Sequence, residues 1–85
     1  MPTIGEVYDP LIAAALNDDP SGHDLLKETG ARIFEHNPDR CPDVEDGIQA
    51  ARLNLGYYVQ YHDEDTVTKV REFYDLNREQ QFLIR

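Results

Sequence analysis

Apolar positions along the chain recur at three- and four-residue spacing, the rhythm of helices with one buried side. Four segments carry it, and none shows the convincing two-residue alternation of a half-buried strand. The first begins at Thr3, which stands three residues before Glu6, the spacing of a capping box. Ile4, Val7, Tyr8, Leu11, Ile12 and Ala15 keep helical spacing after it. Pro10 interrupts that run, because proline lacks an amide donor and clashes with the preceding turn. The segment therefore kinks there or starts afresh, with Asp9 as N-cap and Pro10 at the first helical position. The fresh start uses both residues in favoured roles and is preferred.

Ser21 opens the second segment, with Asp24 three residues on as a short capping-box variant. Its buried stripe is Leu25, Leu26, Thr29, Ile33 and Phe34. Gly30 lies inside it, at a cost of about 1 kcal/mol relative to alanine, or else ends the helix early. Asn37-Pro38 stops the segment in any event.

The third segment is the clearest. Asp43 is its N-cap, and the pattern runs to about Tyr61 with Arg52 as the only charge after Asp46. At about 100° per residue, Ile48, Ala51, Leu55, Tyr58 and Val59 share one face. Ala50, Leu53, Tyr57 and Tyr61 fall nearly opposite. A helix apolar on two sides is central in its own fold, or core on one side and interface on the other. The fourth segment starts within residues 62–65, and Val67, Val70, Phe73, Tyr74 and Leu76 form its stripe. Polar residues follow, and then Phe82, Leu83 and Ile84. The predicted architecture is all-α: a small single-domain bundle of four short helices, residues 1–85, with the third helix central.

Size changes how that fold must be stabilised. Eighty-five residues bury a limited core. One cysteine, Cys41, precludes an intrachain disulfide, and no Cys/His set has structural-zinc spacing. Self-association is the remaining common support, so a homo-oligomer is an open expectation. No apolar run approaches the roughly 20 residues of a membrane span. Residues 1–6 have neither a basic region nor an apolar stretch, so no secretory signal is read there. A lone thiol fits a reducing cytoplasm, which is the expected location.

Charge narrows the partners. Seventeen acids against eight bases give a net charge of −9. Direct binding to nucleic acid or anionic lipid depends on Lys/Arg neutralising phosphates, so neither is expected. The acids cluster beside proposed helix starts, where carboxylates accept orphan amide hydrogens and complement the dipole. The sharper alternative is an acidic decoy that occupies a nucleic-acid-binding protein.

Candidate chemistry concentrates in residues 36–43. His36, Asp39, Cys41 and Asp43 are transition-metal ligand types, and Pro38 and Pro42 stiffen the loop. A zinc site needs three or four ligands, however, and no recognisable pairing is present. His36, Cys41 and, from a distance, His62 are weak metal candidates only, and no cofactor is expected. A calcium EF-hand fails on spacing, since aligning its glycine on Gly47 puts Pro42, Val44 and Leu53 at ligand positions. Cys41 and His36 do not by offset alone make a nucleophile and base. With no catalytic motif and little room for a pocket, the chain is read as non-enzymatic.

Tyrosines carry the interaction signal. Five of the eight aromatics are Tyr, and three of them, Tyr57, Tyr58 and Tyr61, fall at one helix end. Tyrosine joins apolar area to a hydrogen-bonding tip and is favoured at interfaces. Tyr58, on the Leu55 side, is assigned to the core boundary. Leu53, Tyr57 and Tyr61 form the proposed contact face, with Phe82 and Leu83 a second candidate. The expected function is binding to another protein or to a second copy of the chain.

Overall fold

Thr3 starts the first helix as its side chain predicts: its Oγ1 accepts the Glu6 amide hydrogen at 3.2 Å. In the computed structural model, which describes residues 3–76, that helix is α1, Ile4–Leu16. It does not restart at Pro10, as the sequence suggested, but runs through it. Pro10 removes one bond to the Glu6 carbonyl four residues back, and both residues are exposed, so water can solvate the freed oxygen. On the other side, buried Tyr8, Leu11, Ile12 and Ala15 hold the helix in one piece. Asp9 is therefore no N-cap. Its carboxylate accepts the Tyr58 hydroxyl hydrogen at 2.6 Å.

Asp18, at φ 51°, turns the chain in left-handed geometry. The Asp19 amide then donates back to the Ala14 carbonyl at 2.8 Å. α2 spans Ser21–His36. Its start falls where expected, but the capping group is Asp19, whose Oδ1 accepts the Ser21 amide hydrogen at 3.0 Å. The N-cap position falls on Pro20, which makes no side-chain cap bond, so Ser21 is the first helical residue and not the cap the sequence suggested. The helix passes through Gly30 without ending. Asn37 stops it, with its side-chain amide donating to the Ile33 carbonyl at 3.0 Å.

α3, Val44–Val59, begins on Asp43, whose Oδ1 accepts the Asp46 amide hydrogen at 3.0 Å. It ends two residues short of the predicted Tyr61, because the chain tightens and the His62 amide donates to Val59. Asp63 then caps α4, Glu64–Tyr74. One carboxylate oxygen accepts the Thr66 amide hydrogen at 3.1 Å and the other accepts its hydroxyl hydrogen at 2.7 Å. Asp75, at φ 53°, closes α4 in left-handed geometry, and the Leu76 amide donates to Arg71 at 2.8 Å.

The fold is an all-α bundle of four helices with no strand among the described residues. Its core joins Tyr8, Leu11, Ile12 and Ala15 of α1, Leu26 of α2, Ala51, Leu55 and Val59 of α3, and Val70 and Tyr74 of α4. α2 and α3 share the most extensive contact. α3 touches all three other helices, and so does α1, so the two share the middle. No described helix is long and apolar enough to cross a membrane. Phe82, Leu83 and Ile84 lie outside the described residues.

Candidate functional site

The rotation of α3 about its own axis decides which residues it offers to solvent. That rotation is set where α2 and α3 cross, at Gly30 and Gly47. A Cβ on Gly30 would lie 2.5 Å from the Ile48 Cα, and a Cβ on Gly47 would overlap the Gly30 carbonyl oxygen. Backbone thus meets backbone. With Gly47 turned to α2, the helical repeat turns Ala51, Leu55 and Val59 inward, where all three are fully buried.

Three polar contacts hold this orientation. The Asn54 side-chain amide donates to the Tyr8 hydroxyl oxygen at 3.2 Å. Tyr58 donates to Asp9, and its ring is half-buried against His62 at 5.2 Å between centroids. Arg52 forks onto the end of α4, donating to the Tyr74 carbonyl at 2.8 Å and the Asp75 carbonyl at 2.5 Å. Hydrogen bonding to Asp9 raises the Tyr58 pKa, since the bond exists only while the phenol keeps its proton. Burial raises the Tyr8 pKa. Burial also pushes Tyr74 up to about 12, aided by the negative charge of Asp19.

The opposite face of α3 is left over. Ala50, Leu53 and Tyr57 are half-buried there, and Tyr61, just past the helix end, is 85% exposed. Tyr58 belongs to the boundary with α1, as expected. Ala50 and Leu53 line a shallow open groove of about 500 Å³, whose other wall is Ile33, Asn37, Arg40 and Cys41. A second groove of about 910 Å³ runs between the start of α1 and the end of α2. Ile33, Asn37 and Asn54 border both, so the two adjoin along one side of the bundle.

The loop that invited metal or nucleophile chemistry is split by the fold. Cys41 is buried in the first groove, and its amide donates to the Asn37 carbonyl at 2.9 Å. His36 is exposed at the end of α2 and borders the other groove. His62 stands at the far end of α3 against Tyr58. Among the described residues no three His, Cys, Asp or Glu side chains come together as a metal set. Leu53 and Tyr57 share the α3 face, while Phe82 and Leu83 lie outside the described residues.

Sequence periodicity missed the groove's far wall. Ile33, Arg40 and Cys41 come from another helix and a loop, and no spacing within α3 points to them. The only signal was the loop's unusual composition, and it drew attention to ligand types rather than to Arg40. No protein-family model, curated protein or solved structure matches the chain.

Proposed function

We propose that the protein is a non-catalytic interaction module, a small adaptor, accessory subunit or regulator that engages another protein or a second copy of the chain through the outer face of α3. One observation carries this. An apolar and aromatic surface, Ala50, Leu53 and Tyr57 running to exposed Tyr61, lies outside the core and borders an open groove. Ala50 and Leu53 line the groove, and tyrosine is among the residue types on which protein contacts concentrate their energy. A single domain that folds around Leu55 and presents Tyr57 needs no cofactor for such a role. Cys41 is buried, and a lone thiol suits a reducing cytoplasm.

The acidic-decoy reading has less behind it. Asp19, Asp43 and Asp63 are engaged as helix caps, and Asp9 and Asp18 in contacts to Tyr58 and Lys69. Ligand binding at residues 36–41 has the first groove in its favour, but only one of the three suggested ligand side chains lines it.

The test compares immobilised wild type with Tyr57→Ala/Tyr61→Ala in capture from native lysate, with mass-spectrometric identification and circular dichroism as the folding control. Partners lost by the folded double variant support the assignment. Partners held equally by both proteins remove the α3 face from the function.

A further inference from the structure

We infer that the second groove, between the start of α1 and the end of α2, binds a small carboxylic acid with an apolar body, its carboxylate held by Arg32 and the Tyr8 hydroxyl. This site makes no use of Tyr57 or Tyr61, so it does not rest on the interaction reading above.

The walls supply the apolar part. Ile4 and Val7 line the groove from α1, about one turn apart, and Ile33 lines it from α2. Ile4 is 54% exposed, so apolar surface is open there. The volume of about 910 Å³ is that of a small-molecule site, roughly 300–1,000 Å³.

A donor without an acceptor sits in the same groove. Tyr8 is buried, and its hydroxyl oxygen accepts the Asn54 amide hydrogen at 3.2 Å. The hydroxyl hydrogen itself has no acceptor among the described residues. Turned the other way, the Asn54 amide would accept that hydrogen and leave its own over, so the pair has a spare donor in either arrangement. Both residues line the groove. An oxygen of a bound ligand is the group that uses such a donor, since a buried polar group left unpaired costs stability.

Charge names the oxygen as a carboxylate. Arg32 lines the groove from α2 and has no ion-pair partner among the described residues. No acid lines the groove, although the chain carries seventeen acids against eight bases. Glu28 and Glu35, near Arg32 along α2, and Glu6 on α1 are exposed and form no part of the lining. A planar guanidinium takes a carboxylate through paired hydrogen bonds. The chain's charge of −9 repels an anion at a distance, but at physiological salt that repulsion fades beyond about 8 Å and the contact decides. A polyanion would need a run of bases, which this groove does not hold.

The experiment follows the amide NMR signals of the full chain during titration with octanoate, octanol and acetate. Octanoate should shift signals of Val7, Tyr8, Arg32 and Ile33 and saturate with a Kd of about 1 mM or below. Octanol lacks the charge and acetate lacks the apolar body, so each should bind about tenfold more weakly or worse. Arg32→Gln, an exposed change that spares the core, should weaken octanoate about tenfold and leave octanol unchanged. Tyr8→Phe, which keeps the buried ring and is checked by circular dichroism, should weaken octanoate about threefold or more. Octanoate shifts that do not saturate, or that scatter over the whole bundle, overturn the site. So does octanol binding as tightly as octanoate. Unchanged octanoate affinity in Arg32→Gln, or in folded Tyr8→Phe, overturns it as well.

Discussion

Gly47 rests against the carbonyl oxygen of Gly30, with no side chain from either residue between α2 and α3. Gly→Ala inside a helix ordinarily stabilises by about 0.4–1 kcal/mol. Here the sign reverses, because the obstacle is backbone and cannot rotate away. Gly47→Ala and Gly30→Ala should each destabilise by about 1–3 kcal/mol, the usual cost of overpacking. Chemical denaturation of both variants measures this, and a gain in either would mean the helices do not touch there.

The two faces of α3 should respond differently to truncation. Leu55 is fully buried in the core that the four helices share, so Leu55→Ala should cost about 2–5 kcal/mol. Tyr57→Ala/Tyr61→Ala should stay folded, since one ring is half-buried and the other exposed. Thermal melts of both proteins decide it. A double variant that melts as low as Leu55→Ala would make both faces core.

Arg52 is the only charge on α3 after Asp46, and its fork neutralises the carbonyl end of α4. Arg52→Ala should cost about 1–3 kcal/mol, because those carbonyls lose a charge-assisted partner. Arg52→Lys should recover only part of this, since an ammonium cannot span two acceptors as a planar guanidinium does. Full recovery by lysine, seen in urea titration, would show that charge alone matters.

Alkaline pH should unfold the protein through its phenols. The Tyr74 hydroxyl donates to the Leu11 carbonyl at 2.5 Å, and the folded-state pKa is raised from 10.0 to about 12. Stability from the neutral phenol is complete below pH 10 and is lost as pH rises through about 12. Tyr8 and Tyr58 shift in the same direction and add to the loss. Melting temperature followed from neutral pH upward should fall across that window, and less steeply in Tyr74→Phe. An unchanged slope in the variant would assign the effect to other groups.

Helix existence and the inner stripe of α3 were legible in the sequence because both depend on local spacing, whereas Ile4, expected in the α1 stripe, is exposed, and of the α2 stripe only Leu26 is fully buried, the others being half-buried. Asp43 and Asp63 cap as their positions suggest, and Ala51, Leu55 and Val59 are buried as their face requires. What misled were residues whose meaning is set by another element. Pro10 reads as a break until α1 is seen to bury Tyr8 and Leu11 on either side of it. Gly30 reads as a weak point until Gly47 arrives opposite. Asp9 reads as a cap until Tyr58, 49 residues away, takes its carboxylate. The groove beside Leu53 was hidden for the same reason, since its wall comes from α2 and the following loop.

The bond from the Tyr74 hydroxyl to the Leu11 carbonyl joins residues 63 apart and ties α4 to α1. α2 and α3, by contrast, are neighbours in the chain and share the broadest contact. Closing a long loop costs more chain entropy than closing a short one, so the two unions should not be simultaneous. The α2–α3 hairpin should form early and the α1–α4 clasp late, and the clasp should also be the first part to loosen. Native-state hydrogen exchange should then find amides of α1 and α4 trading protons through smaller openings than those of α3. Tyr74 in that view is the latch of the fold, set last and released first.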